Sequence, residues 1–295
     1  MRQRMSNGRR VGTNRVKNSQ GPILVVGDTG KTGRRVAARL EQQAVPFRRA
    51  SRSSSPPFNW TRAETWRPAL EGAGAVYLSY PQDLPIEGAT EQIARFVEEA
   101  KRSGVQRLVL LTGRGESEGL RQEELVKESG LEWTVIRSAW FDQNFTEGGF
   151  AEMLQSGELV LPEGRAPEPF VDLEDLADVA VAALTHSGHA GQIYDVTGPH
   201  LLTFEAVASG LSQALGRPVS FVPVSLAAFL TGLAEAGVPA DAVVLMEFLF
   251  GDLLDGRNAH LGDGVQRALG REPGGFDAFA RRELSGERIE VAVGH

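Results

Sequence analysis

The 295-residue sequence contains no cysteine, which excludes a disulfide framework, a thiolate metal site and a cysteine nucleophile. It has no apolar run near the roughly 18 residues that a membrane-spanning helix needs, so the expected location is cytoplasmic, with no membrane partner. Aromatic residues make up only 7%, and only three are tyrosines. Acids are missing from residues 1–20, which carry Arg2, Arg4, Arg9, Arg10, Arg15 and Lys17. The net charge of −7 therefore conceals −13 on the remainder, where 25 basic residues face 38 acidic ones. An acidic body argues against a nucleic-acid partner. Residues 1–20 lack periodicity and read as a disordered basic tail. They share acid depletion with transit peptides but have little serine and no apolar face. What remains is 41% hydrophobic and 23% charged over the whole chain, the composition of a globular protein.

From Pro22 onward, short apolar runs alternate with helical periodicity. Strands are expected at Pro22–Val26, Val45–Ser51, Ala73–Ser79, Arg107–Thr112, Glu132–Arg137 and Gln192–Val196. Helices are expected at Thr32–Gln43, Glu91–Ser103, Gln122–Ser129 and Asp172–Leu184. The strands are apolar without alternation, as in a parallel sheet covered on both faces. The fold class is α/β: a Rossmann-type doubly wound parallel sheet over residues 21–198, then a smaller, mostly helical substrate domain over 199–295. That second part reads as helices at Thr203–Leu215, Leu226–Ala236, Ala240–Leu254, Gly262–Leu269 and Phe276–Leu284, with one short strand at Val219–Val222. The apolar stretch from Leu226 to Leu254 suits a pocket, a core or a homodimer face.

Between the first strand and first helix lies Gly27-Asp28-Thr29-Gly30-Lys31-Thr32-Gly33. Glycines there allow a tight turn, close approach of a pyrophosphate and packing of helix on strand, with helix N–H groups facing the phosphates. A Walker A loop needs a glycine five residues before Gly30, and that position is Val25, inside the strand. An NAD site places an acid near the end of the second strand, about 20 residues after the glycine turn. Here the stretch is Arg48-Arg49-Ala50-Ser51-Arg52-Ser53-Ser54-Ser55, with no acid. Ser51 and Arg52 suit a ribose 2′-phosphate, and Lys31 is expected to reach the same group, so NADP(H) is favoured over NAD(H).

These motifs, with Leu110-Leu111-Thr112-Gly113-Arg114-Gly115, Trp133-Thr134-Val135-Ile136-Arg137, Trp140-Phe141-Asp142-Gln143-Asn144-Phe145 and Tyr194-Asp195-Val196-Thr197-Gly198-Pro199, occur in an order that resembles the NmrA-like atypical short-chain dehydrogenase/reductases. The nearest branch is that of the ergot-alkaloid-biosynthesis proteins, the festuclavine-dehydrogenase-like reductases. The likeness spans about residues 22–285. It implies that Gly27, Thr29, Gly30, Lys31, Thr32, Gly33 and Arg52 hold the adenosine and pyrophosphate side of the cofactor. Ser79, Tyr80 and Pro81 would lie along its ribose, and Thr112 and Gly113 would flank the nicotinamide. Tyr80, Trp140, Phe141 and Asn144 would border a small-molecule substrate.

One departure is informative. Typical short-chain dehydrogenases use a Tyr-x-x-x-Lys pair for proton transfer. Here the residues four places after Tyr77, Tyr80 and Tyr194 are Pro81, Leu84 and Gly198. No catalytic residue is therefore assigned. Two readings follow: a reductase whose acceptor (an iminium, quinone or enone) needs only hydride, its aromatic wall stacking on the acceptor, or a non-catalytic NADP(H)-binding redox sensor that docks on a regulator. Asp142 qualifies as a proton donor only if burial raises its pKa. The histidines share no metal-ligand spacing, and Ser187–Gly191 reads as an exposed turn. His260 reads as a helix-end residue with a lesser claim to substrate contact. Asp172, Glu174, Asp175 and Asp178 read as helix-capping acids rather than metal ligands. Trp60 and Trp66 sit in a polar stretch that suits either edge packing, the expected role, or a lodging place for the adenine.

Overall fold

A computed structural model describes residues 21–80, 88–164 and 166–284; the basic tail and Pro81 lie outside them. The first half alternates β1 (Ile23–Val26), α1 (Lys31–Gln42), β2 (Phe47–Ala50), α2 (Trp66–Leu70), β3 (Ala75–Ser79), α3 (Ala89–Arg102), β4 (Arg107–Gly113), α4 (Ser117–Lys127) and β5 (Glu132–Ser138). Then come α5 (Gly149–Ser156), β6 (Glu158–Pro162), α6 (Leu173–Thr185) and β7 (Gln192–Val196). The chain ends with α7 (Phe204–Leu215), β8 (Ser220–Val224), α8 (Leu226–Glu235), α9 (Ala240–Glu247), α10 (Gly264–Leu269) and α11 (Phe276–Leu284).

Six strands form one parallel sheet in the order β2-β1-β3-β4-β5-β7. Side chains alternate across a strand, and here both sides are covered. Ile23 and Val25 of β1 pack with Val36 and Leu40 of α1 and with Leu176 and Ala180 of α6. Their neighbours Leu24 and Val26 pack on the opposite face with Ile93, Phe96 and Ala100 of α3. This double burial is why β1 reads as continuously apolar. Phe58, Trp60, Trp66 and Phe96 close the α3 side as an aromatic cluster with ring centroids 5.2–5.9 Å apart.

A third core joins Trp140, Phe145, Leu159 and Leu161 to Phe204, Leu211, Phe250 and Phe279. Its frame includes β6 and β8, paired in parallel from Glu158–Ser220 to Pro162–Val224. The pattern of the sequence reveals β8 but not β6, a five-residue strand ending in proline whose partner lies some 60 residues on. The expected helix Ala240–Leu254 also changes: α9 stops at Glu247 and the chain continues as a π-helical segment, Phe248–Leu253. α10 packs back on α6 and β7, with Val265 and Ala268 in the first core.

The acids before and within α6 cap and brace it. The Asp172 carboxylate accepts the Glu174 N–H at 3.0 Å and a hydrogen bond from Gln143 Nε2 at 2.7 Å. Gln143 Oε1 in turn accepts the Leu173 N–H. Arg271 bridges Asp175 and Asp178, and Arg282 reaches Asp172. The Ser187–Gly191 turn is not wholly exposed. His189 is 2% exposed, with Nδ1 2.8 Å from the Tyr194 hydroxyl, and burial lowers its pKa to about 4.

Asp142 has no exposed surface, and neither of its carboxyl oxygens has a hydrogen-bond partner among the described residues. Burial, and then the Asp172 carboxylate, hold its pKa well above the usual range, against the pull of Arg282. The folded state therefore keeps this proton at pH values where the unfolded chain has lost it. The associated stability is complete below the ordinary carboxylate pKa of about 4 and is lost as pH rises through the folded value. Asp142→Asn should leave the melting temperature nearly unchanged at about pH 4 and raise it progressively toward pH 8. Thermal unfolding of both proteins across that range measures the difference.

Candidate functional site

The chain leaves β1 with φ +81° at Gly27, and the Gly30 N–H closes the turn on the Gly27 carbonyl at 3.0 Å. A Cβ on Gly27 would stand 2.9 Å from the Ser79 carbonyl oxygen, and one on Gly33 only 2.2 Å from the Gly27 carbonyl oxygen. Hydrogen at these two positions lets β3 and the first turn of α1 meet the loop backbone to backbone. Gly30 is the N-cap of α1, and no side chain caps the N–H groups that follow. The positive end of the helix thus opens between Gly30, Lys31 and Thr32, which line the adjoining cleft, while Thr29 is exposed beside it. Open backbone donors at a helix N-terminus are the chemistry that suits an anionic group such as a pyrophosphate.

At the end of β2 the three arginines divide. Arg48 donates to the Glu71 carbonyl at 2.6 Å, and Arg49 turns back to Asp28 at 3.6 Å. Arg52 is exposed and makes no hydrogen bond or ion pair among the described residues. Ser51 and Ser53 hydroxyls lie 3.3 Å apart beside it, and Ser54 pins the turn through the Ser51 and Pro56 carbonyls. A hydroxyl pair and an unoccupied guanidinium on a braced turn suit a phosphate monoester.

The cleft encloses about 590 Å³, ample for a small molecule. Its floor is made by the carboxyl ends of the central strands: Ser79 of β3 with Tyr80 just after it, Thr112 and Gly113 of β4, and Ser138 of β5. Trp140, Phe141 and Asn144 form one wall, and Phe248, Leu249 and Leu253 of the π-helical segment face them. Ligands of open parallel sheets bind at this edge. Lys31 Nζ donates to Asn144 Oδ1 at 2.8 Å. It is therefore turned toward the Asn144 wall, not toward the Ser51–Arg52 corner expected for it. Trp140 is only 9% exposed and packs edge-on to Phe250 at 5.3 Å and Phe170 at 6.4 Å. It shapes the wall more than it offers a stacking face. The Tyr80 hydroxyl donates to Gln92 at 3.2 Å, and burial raises its pKa.

Three features of the cleft escape sequence reasoning. Arg114 is 4% exposed and pairs through Nε with Asp195 at 2.6 Å. It also donates to the carbonyls of Asn258 and His260 at 3.2 and 3.1 Å, while Asn258 Nδ2 returns a bond to the Arg114 carbonyl. That clamp fixes the C-terminal loop over the sheet edge. Glu123, on α4, is 1% exposed and receives Arg137 through two hydrogen bonds of 2.7 and 2.6 Å. The same carboxylate accepts the Thr112 hydroxyl at 3.1 Å. The third feature is the π-helical segment, a backbone irregularity common at functional sites. The only hint in sequence is Arg114 and Arg137 ending apolar strands where a charge must find a partner.

Other candidates fall away. Asp142 has the raised pKa that a proton donor needs, but it does not line the cleft. His260 is 63% exposed in its side chain; its carbonyl accepts from Arg114, and its Nε2 stands 4.0 Å from the Asp195 carboxylate that Arg114 pairs with. Among the described residues, no group of three or more His, Cys, Asp or Glu side chains can hold a metal ion. No helix among them is long and apolar enough to cross a membrane.

Comparison with known proteins agrees with this geometry. The profile of a family described as NAD(P)H-binding matches residues 27–187. Festuclavine synthase II of Penicillium roqueforti is 32% identical over 287 residues, covering 88% of this chain and 98% of that protein. An NAD(P)H azoreductase of Xenophilus azovorans is 30% identical, covering 88% of this chain and 96% of its own. In three dimensions the chain is similar to an NADPH-dependent quinone oxidoreductase from Escherichia coli solved with NADPH, at a TM-score of 0.74 and 18% identity over 88% of this chain and 99% of that one. The glycine cradle, the strand-end cleft and these likenesses lead to one conclusion: the chain belongs to the NAD(P)H-binding family as an NmrA-like atypical short-chain dehydrogenase/reductase, near the ergot-alkaloid branch.

Proposed function

We propose that the protein is an NADPH-dependent oxidoreductase that reduces a small, flat organic acceptor (an iminium ion, a quinone or an enone) without an acid supplied by a tyrosine–lysine pair. The observation that carries this reading is the continuity of the cleft. It runs from the glycine cradle along the strand ends to an apolar wall, with Thr112 and Gly113 between them. When bound there, the cofactor supplies hydride from its nicotinamide ring.

The residues do the positioning. The open N–H groups of α1 and the exposed Arg52 anchor the phosphates, and Trp140, Phe141, Phe248, Leu249 and Leu253 exclude water from the ring-sized space beyond. Tyr77 and Tyr194 are buried in the sheet core, and the Tyr80 proton is committed to Gln92. An acceptor whose reduced form is neutral or a stabilised anion suits such a site. The names of the relatives, a festuclavine synthase and an azoreductase, and of the quinone oxidoreductase that shares the fold support this class. The test is NADPH oxidation across a panel of quinones, azo dyes and cyclic iminium ions. Tight NADP(H) binding with no turnover across the panel overturns the enzyme reading in favour of a redox sensor.

Two variants sharpen the test. A charge-assisted hydrogen bond contributes roughly 1.5–3 kcal/mol, so Arg52→Asp should weaken NADPH binding by about ten- to hundredfold while changing NADH little. Calorimetric titration with both cofactors measures this. Trp140→Phe keeps a ring against Phe250 but alters the wall. It should lower kcat/KM for the acceptor by about tenfold with NADPH affinity within about twofold, read from steady-state kinetics beside cofactor titration.

A further inference from the structure

Thr112 and Arg137 are register partners on β4 and β5, and α4 lies close enough that a Cβ on Gly119 would stand 3.3 Å from Thr112 Cβ. One turn on, Glu123 reaches beneath the strand ends. Arg137 fills it from one side, with Nε 2.7 Å from Oε1 and Nη2 2.6 Å from Oε2. Lys127 Nζ stands 3.7 Å from Oε2. The bond to Glu123 raises the Arg137 pKa, so the guanidinium stays charged. The remaining approach to Oε1 is taken by the Thr112 hydroxyl at 3.1 Å.

An ionised carboxylate can only accept, so the single Thr112 proton must point at it. What Thr112 then offers to the cleft is lone pairs. We propose that Glu123 is a positioning residue: by taking the Thr112 proton it makes Thr112 Oγ1 an obligate hydrogen-bond acceptor on the cleft floor, matched to an N–H donor on the rings bound there. This rests on the reading of the cleft as a nicotinamide site. The donor has two sources: the carboxamide amino group of the nicotinamide, or the N–H of an imine protonated on nitrogen. In either case the hydroxyl cannot protonate a product oxygen, which restricts the site to acceptors completed by hydride alone or protonated from water. It also gives the buried charge of Glu123 a role beyond stapling α4 to β5.

Glu123→Gln tests the polarity. Its amide has one oxygen, and Arg137 Nη2 together with Lys127 holds that oxygen at the Oε2 position, so its amino group takes the Oε1 position, faces Thr112 and frees the hydroxyl proton into the cleft. The 3-acetylpyridine analogue of NADP⁺ lacks the carboxamide donor. If the cofactor is the source, the wild-type protein should bind NADP⁺ about tenfold more tightly than the analogue by calorimetry, as expected for one hydrogen bond. Thr112→Ser should keep that ratio, and Thr112→Val and Glu123→Gln should each bring it close to one. In a Thr112→Val background, Glu123→Gln should change it no further. If the substrate is the source, the binding ratio stays fixed. The ratio of kcat/KM for a protonatable cyclic imine over a quinone then falls in the same variants, with the same non-additivity.

Ratios that ignore both substitutions overturn the proposal. So does a Glu123→Gln effect that persists undiminished beside Thr112→Val, which would mark Glu123 as a staple only. A staple lowers the melting temperature without moving either ratio, and Thr112→Val remains decisive if Glu123→Gln does not fold. Failure of the wild-type protein to bind either dinucleotide overturns the cleft reading itself. Binding with unresponsive ratios overturns only the role of Glu123.

Discussion

With no side chain at Gly33, the first turn of α1 rests directly on the Gly27 carbonyl, and the rest of the site is built outward from that contact. It sets how far α1 stands from β1, and so where the uncapped helix end opens. Because α1 also packs on α6, the same contact fixes the height of α6 on the sheet and the docking of α10 against α6. A methyl group at Gly33 would have to displace main chain, which cannot swing aside as a side chain can. The glycine turn and the covering of one sheet face are thus one packing problem.

Charge organises the perimeter of the same face. A continuous run of ion pairs leads from Arg34 and Arg35 through Glu147 and Glu174 to Arg39, then by Asp178 to Arg271 and Asp175. It links α1 to the loop after the Trp140–Phe145 wall and to the C-terminal segment. Each exposed pair contributes little. Their worth lies in orientation: every carboxylate in the run except Asp175 meets guanidinium groups from two different arginines, which narrows the relative placements of the elements that carry them. The sequence shows Glu174, Asp175 and Asp178 only as a crowd around a helix start, and the structure gives each one a partner.

How much was legible follows from where the information is held. The central strands are evident because double burial writes itself as uninterrupted apolar runs such as Ile23–Val26. The glycine turn is evident because its glycines answer a local need. β6 is not, since a short strand paired with β8 borrows its stability from residues far along the chain. The π-helical segment is invisible because Phe248–Leu253 keeps helical composition while its hydrogen-bonding changes. Glu123 and Arg114 mislead, because charged residues are ordinarily solvated and only the fold reveals that each is enclosed by its partners. His189 misleads in the same way, from inside a glycine-flanked turn. Most of the candidate cofactor side was therefore local and readable. The opposite side of the cleft, where Trp140, Asn144 and the π-helical segment meet, is assembled from distant segments and was read only in outline.

The clamp at Arg114 carries one more implication. Its guanidinium holds the loop above the cleft by the carbonyls of Asn258 and His260. Carbonyls are common to every amino acid, so these two holds ask nothing of the side chains, whereas Asn258 returns a bond to the Arg114 carbonyl, Arg257 donates to the Gly115 carbonyl and His260 Nε2 stands 4.0 Å from Asp195. Leu261, by contrast, is 51% exposed. Attachment by main chain leaves an exposed side chain such as that of Leu261 open to substitution without disturbing the hold of the guanidinium on the loop.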